Sequence, residues 1–151
     1  MKIRELHGCF YNAVYVEDRF LMLHGGLSPE IYTLDDIAQA QENQNKALLE
    51  DLLWNDPDEK VPGVSFSSRG AGNLFGKKIT QEVLGRLHAK ILIRGHESRN
   101  VGFKINHDGK VLTLFSRKGA PYFNRYGAYL QLPLAEKFES AHQLAPFIHK
   151  F

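Results

Sequence analysis

Three side chains in this sequence stand where they could hold a metal ion or grip a phosphate. His24 ends the apolar run FLML and is followed at once by Gly25-Gly26-Leu27-Ser28-Pro29. His96 stands in the same relation to KILIR, one glycine further on. Arg69 lies among glycines and serines in SSRGAGNLFG. A neutral imidazole is a ligand for divalent transition metals, and a guanidinium can hold phosphate or carboxylate through two parallel hydrogen bonds. Loops at the C-terminal ends of buried strands line the ligand crevices of α/β sheets. If the strands before His24 and His96 are neighbours, both rings can reach one cation. Two histidines this far apart in sequence are not by themselves a ligand motif, and hydrogen-bonded histidines capping two strands satisfy the same pattern. Arg69 reads either as a phosphate grip or as a solvated surface arginine. No Lys-Ser/Thr follows Gly76, so the glycine-rich loop is not a nucleotide P-loop.

Other polar and aromatic residues give weaker signals. Trp54 in DLLWNDPD reads as an indole closing a helix end onto the core. Asp56 and Asp58 could serve as ligands, but beside Pro57 they read as turn residues. His7 reads as a surface residue, and His88, His107, His142 and His149 carry no ligand pattern. Tyr122, Phe123 and Tyr126 either line a pocket or cover a sheet edge.

The elements that must position these residues follow from periodicity. Residues 12–15 and 20–23 are strand-like around a Glu17-Asp18 turn. Ser28-Pro29 suggests a helix start, and Thr33 with Asp36 suggests a capping box in which Asp replaces Glu. Residues 45–53 continue as helix, with Leu48, Leu49, Leu52 and Leu53 on one side, until Asn55-Asp56-Pro57-Asp58 stops it. Glycines and a proline among serines make 60–76 a long loop, and long loops are often functional. Residues 78–88 form an amphipathic helix with Ile79, Val83, Leu84 and Leu87 on one face. The continuous aliphatic run at 90–93 is a strand buried on both sides. Residues 101–105 and 111–115 form a hairpin around Asp108-Gly109. A second irregular loop spans 117–125, a last strand 127–132, and a partly helical tail 134–151. The fold class is α/β: one mixed β-sheet with flanking helices, in a single domain covering 1–151.

Composition limits the function classes. The chain has 151 residues, 43% hydrophobic and 24% charged, as in ordinary globular domains. A formal net charge of +2 gives no argument for nucleic acid or a membrane as a partner. Seven histidines justify looking for ligand or proton-transfer roles. The single Cys9 excludes an internal disulfide, and no apolar run is long enough for a membrane span. The start MKIRELHGCF has no signal-peptide core, so a cytoplasmic location is the expectation.

Taken together, LMLHGGLSPEI, LLEDLLWNDPDE, KILIRGHE and VLTLFSRKGAPYFNRYGAY resemble, in order and spacing, the C-terminal half of the PPP family of serine/threonine protein phosphatases. These belong to the calcineurin-like metallophosphoesterase superfamily. The resemblance runs from about Phe10 to Leu132. It implies half of a metallophosphoesterase β-sandwich and a hydrolase acting on phosphorylated proteins by a metal-activated water, without a phosphoenzyme. It implies divalent cofactor metals, manganese or else iron or zinc, two per complete site. On this resemblance His24 and His96 are metal ligands, Arg69 grips the phosphate, and Tyr122 lies near the family's phosphate-binding tyrosine. The glycines after His24 then let the loop clear the metal.

The chain also departs from the family. Ser67-Ser68 replace Asn-Asp before the arginine, Gly95 and Glu97 replace Ala and Gln around His96, and the loop holding Tyr122 is shorter. The family's N-terminal motifs, Gly-Asp-x-His-Gly, Gly-Asp-x-x-Asp-Arg-Gly and Gly-Asn-His-Glu, have no counterpart, since no Gly-Asp pair occurs here. The remaining metal ligands and the general acid are therefore missing, and no catalytic residue is assigned in this chain. Two expectations follow. The chain works with a missing N-terminal half, or as a homo-oligomer, on phosphoprotein substrates; alternatively, it is a non-catalytic module that binds phosphate or phosphoprotein. Half a sandwich should also expose sheet edge and apolar face.

Overall fold

The computed structural model describes residues 10–41, 45–133 and 135–151; His7 and Cys9 lie outside them. Strands β1 (Ala13–Val16) and β2 (Phe20–Leu23) form a hairpin with Ala13 opposite Leu23 and Val16 opposite Phe20. β2 pairs in parallel with β6 (Ile91–Arg94), and β6 in parallel with β8 (Val111–Leu114). β8 pairs antiparallel with β7 (Phe103–Asn106), so the five-stranded sheet runs β1-β2-β6-β8-β7. Mixed α/β architecture is as the sequence indicated. Among the described residues no helix is long and apolar enough to cross a membrane.

Alternation along the strands divides the core between two faces. Leu21, Leu23 and Leu92 face helices α1 (Leu34–Gln41), α2 (Lys46–Trp54) and α3 (Lys77–Arg86), meeting Ile37, Leu48, Leu52, Val83 and Leu84. Phe20, Ile91, Ile93 and Leu112 face the other way, toward Phe138, Ala141 and Leu144. β6 is buried along its whole length, which explains its unbroken aliphatic sequence. The second face is only partly covered. An apolar groove of about 480 Å³ stays open beside Val16, Met22, Leu114 and Leu130.

One capping expectation holds. Thr33 and Asp36 form the reciprocal cap: Thr33 N donates to Asp36 Oδ2 at 2.7 Å, and Asp36 N donates to Thr33 Oγ1 at 3.3 Å. Asn45 caps α2 by accepting from Leu48 N at 3.0 Å. Ser28-Pro29, by contrast, starts no helix. Ser28 is buried and closes a turn in which Ile31 N donates to its carbonyl at 3.2 Å.

The segment 60–76 is not irregular. β4 (Val64–Phe66) and β5 (Asn73–Phe75) pair antiparallel, and β5 pairs in parallel with the two-residue β3 (Asp56–Pro57). The tail is not merely helical either. After α4 (Ala141–Leu144), β10 (Ile148–Lys150) returns to pair with β9 (Ala128–Leu130).

His107 has a role the sequence did not show. It is fully buried in the turn between β7 and β8. Its Nε2 lies 3.2 Å from the Asp58 carbonyl, which can only accept, so Nε2 carries the proton. Nδ1, 2.8 Å from Thr80 Oγ1, then accepts from that hydroxyl. Its backbone N–H donates to Glu59 Oε1 at 2.8 Å. The ring thus joins α3, the segment after β3 and the β7–β8 turn as a neutral imidazole.

Two predictions follow. Burial pushes the His107 pKa below its usual value, so the folded state favours the neutral ring. Its contribution to stability is complete above pH 6.5, the ordinary histidine value, and is lost as pH falls below that toward the folded pKa. Melting by circular dichroism should drop between pH 7.5 and 5.5. His107→Gln, which keeps a donor and an acceptor, should flatten part of that drop; an unchanged slope would refute the assignment. The second concerns two glycines. A Cβ on Gly25 would sit 2.3 Å from the Leu53 carbonyl carbon, whereas one on Gly95 would meet nothing closer than His24 Nδ1 at 3.7 Å. Gly25→Ala should cost about 1–3 kcal/mol or more by overpacking. Gly95→Ala should change stability by roughly 0.5 kcal/mol or less. Denaturant midpoints of the two variants decide it.

Candidate functional site

Parallel pairing of β2 and β6 brings the two histidines together. Leu23 sits opposite Arg94, and Gly95 N donates to the His24 carbonyl at 3.1 Å, extending the ladder one step past the strands. His24 and His96 leave the same end of the sheet side by side. His24 Nε2 and His96 Nδ1 are 3.2 Å apart, with the rings edge-on and their centroids 5.1 Å apart.

His96 is held in an uncommon backbone conformation. Its φ is 66°, and Glu97 N donates across it to the Gly95 carbonyl at 2.8 Å, closing a three-residue turn. Its Nε2 is buried without a hydrogen-bond partner. This contrasts with His107, whose ring nitrogens both have protein partners. Burial lowers the His96 pKa to about 4, opposed by Asp56 and assisted by Arg94, His24 and Arg69. Burial, then the Arg94 charge, lowers His24 as well. Both rings are neutral at pH 7, the form that binds metals.

The glycines after His24 do something other than expected. Cβ atoms at Gly25 and Gly26 would collide with the backbone of Leu53, Trp54 and Asn55. The His24 loop therefore lies directly on the C-terminal end of α2, and Gly25 N donates to the Leu52 carbonyl at 2.8 Å. Asn55 fastens the same junction: its Nδ2 donates to the Leu27 carbonyl at 2.9 Å, and its Oδ1 accepts from Asn73 N at 2.6 Å. Trp54 does not close onto the core. It is 44% exposed and stands edge-on to His96 at 5.2 Å.

Arg69 occupies the turn between β4 and β5, shaped by buried Ser67, whose Oγ accepts from Arg69 N at 3.3 Å. Its guanidinium pairs with Asp56 Oδ2 at 3.1 Å. Asp56 is not a solvated turn residue but is buried in β3, whereas Asp58 does serve a turn, accepting from Lys60 N at 2.7 Å. The other Asp56 oxygen binds Arg94, 2.8 Å away. Arg94 went unnoticed in the sequence. The signal available was a charged residue ending an aliphatic strand, since a buried guanidinium must find partners. They are the Gly25 carbonyl at 2.6 Å, the Asn55 carbonyl at 3.1 Å, Asp56, and Glu97 at 2.9 Å.

A cleft of roughly 660 Å³ opens over the histidines, bordered by Phe115, Ser116, Arg117, Lys118 and Phe151. Tyr122 is not in its lining. It is 53% exposed and leans edge-on against Phe115 at 5.0 Å. Arg69 is also outside the lining, although its charge reaches His96. Among the described residues no cluster of three or more His, Cys, Asp or Glu side chains is placed to hold a metal. The donors present nevertheless suit one. Two nitrogens at about 2.0–2.1 Å from a common cation lie roughly 3.0–3.4 Å apart, which matches the observed separation.

The chain resembles known proteins in both sequence and fold. Residues 2–100 match the calcineurin-like phosphoesterase family. The chain is 40% identical over 104 residues to the serine/threonine-protein phosphatase 6 catalytic subunit of Caenorhabditis elegans, covering 67% of this chain and 31% of that protein. Its fold matches a Saccharomyces cerevisiae protein serine/threonine phosphatase, described as similar to human phosphatase PP5, with TM-score 0.70 and 29% identity. That match covers 93% of this chain and 46% of the yeast chain. The chain thus spans less than half the length of either relative, and by its sequence and fold it belongs to the calcineurin-like phosphoesterase family.

Proposed function

We propose that this chain supplies the histidine pair and the phosphate-gripping arginine of a metal-dependent serine/threonine phosphoprotein phosphatase, and that a second polypeptide segment completes the site. The observation that carries this is the 3.2 Å approach of two neutral imidazoles from the ends of adjacent parallel strands. His24 Nε2 and His96 Nδ1 would hold one of two divalent cations, manganese or else iron or zinc. When bound, such a cation polarises a phosphoryl oxygen and acidifies water. The chain's own residues orient the ester. Arg69 has donors besides the one given to Asp56 with which to hold phosphate oxygens. Arg117 and Lys118 at the cleft border add positive charge toward an anionic substrate. Tyr122 belongs to the phosphate site only if it turns from Phe115.

The completing segment carries the other metal ligands and the general acid. The open groove beside Met22 and Leu114 is where the sheet can receive it, or a second copy of this chain. A cytoplasmic setting and phosphorylated protein substrates belong to the same proposal. The alternative is a module that binds phosphate or phosphoprotein through Arg69 without turnover.

Two measurements test this. Titration of the purified chain with Zn²⁺ should show binding that His24→Ala or His96→Ala weakens about tenfold or more. Binding unchanged in both variants would remove the metal assignment. Hydrolysis of an aryl phosphate with Mn²⁺ should be absent for the chain alone and appear on adding a segment bearing the Gly-Asp-x-His-Gly motifs. No turnover with that segment, alongside retained phosphate binding, would favour the binding module. Sedimentation adds a check on completeness: a monodisperse monomer that unfolds cooperatively would count against the need for a partner.

A further inference from the structure

Five charged side chains of alternating sign run in sequence through the site. Arg69 pairs with Asp56 Oδ2 at 3.1 Å, and Asp56 Oδ1 with Arg94 at 2.8 Å. Arg94 pairs in turn with Glu97 Oε2 at 2.9 Å, and the second Glu97 oxygen pairs with Arg99. Exposure rises from the middle toward both ends: the Arg94 side chain is 0% exposed, Asp56 6% and Glu97 13%, whereas Arg99 is 25% and Arg69 45% exposed. The buried middle is where charge pairs are least screened and geometry is most fixed.

Resting on the phosphatase reading, we infer that Asp56, Arg94 and Glu97 are positioning residues that aim Arg69 and hold the His96 turn as one unit. Asp56 divides its two oxygens between a buried guanidinium and a half-exposed one, so the Arg69 orientation is set from inside the protein. Arg94 is anchored independently on the Gly25 and Asn55 carbonyls, which belong to the His24 loop and the end of α2. Glu97 directly follows His96 and competes with Asp56 for the same Arg94 guanidinium. With Glu97 charged, Arg94 is shared, and Asp56 keeps negative charge to spare for Arg69. With Glu97 replaced by glutamine, Arg94 draws Asp56 more strongly and Arg69 is held less. Because Asp56 occupies one edge of Arg69 through a single contact, the remaining donors stay free for an anion.

This predicts an effect at a distance. In the full chain, inorganic phosphate binding followed by ³¹P NMR should weaken roughly tenfold in Asp56→Asn and two- to threefold in Glu97→Gln. Glu97 makes no contact with Arg69, so a purely local structural role would not move that readout. In an Arg69→Gln background, both effects should vanish, because the relay acts only through that guanidinium. Tighter phosphate binding in Asp56→Asn would overturn the inference, showing that the carboxylate competes with the anion instead of aiming its partner. Unchanged affinity in both variants would overturn it equally.

Should Asp56→Asn fail to fold, Glu97→Gln and the Arg69 background decide alone. Guanidinium ¹⁵N relaxation gives a readout independent of phosphate. Arg69 should be ordered in the wild type and mobile in Glu97→Gln. If the wild type binds no phosphate, the phosphatase reading of Arg69 fails, while the relay stands or falls on this relaxation difference.

Discussion

The site depends on one backbone constraint: β2 and β6 run parallel and end together. Register is the decisive part, because a one-residue slip in either strand sends alternate side chains to the opposite face. With Leu23 opposite Arg94, the next residues out are His24 and the Gly95-His96 turn. Core packing enforces that register. Leu21, Leu23 and Leu92 must meet the helices while Phe20, Ile91 and Ile93 meet the tail, and slippage would exchange these sets. The apolar core thus determines where two polar rings emerge.

Arg94 sits at the same strand end, and its burial changes what holds the loops. A guanidinium removed from water is tolerable only when its donors are occupied, and its partners here come from the His24 loop, the end of α2, β3 and the His96 turn. Buried ion pairs often add little net stability, since desolvation offsets attraction. Their effect here is on arrangement: the His24 loop, the end of α2, β3 and the His96 turn are all tied to a single planar group. Gly25 and Gly26 permit the approach by letting the loop touch the α2 backbone. Ser67 does the equivalent work for the turn that carries Arg69.

Much of this was legible in the sequence, and what was not has physical causes. β2, β6 and α2 announce themselves because burial imposes a strong apolar pattern. The capping residues Thr33 and Asp36 are legible because their chemistry is local. The β4–β5 hairpin looks like loop in the sequence because its strands are three residues long and Val64 and Phe66 are exposed, leaving no alternation to detect. Asp56, Arg94 and His107 were missed or misjudged for a different reason. Whether a polar side chain is buried depends on segments distant in the chain, and no local spacing encodes that. The histidine pair lies between these cases: strand ends were visible, and the family resemblance supplied the expectation that they adjoin.

Trp54 is the sole tryptophan in the sequence, and its indole edge stands against His96. Its emission therefore comes from one place in the molecule, the wall of the histidine site. Events at that imidazole, such as protonation or arrival of a paramagnetic ion, act on the excited indole at contact distance. The fold carries its own optical reporter, with no competing fluorophore of the same kind elsewhere in the chain.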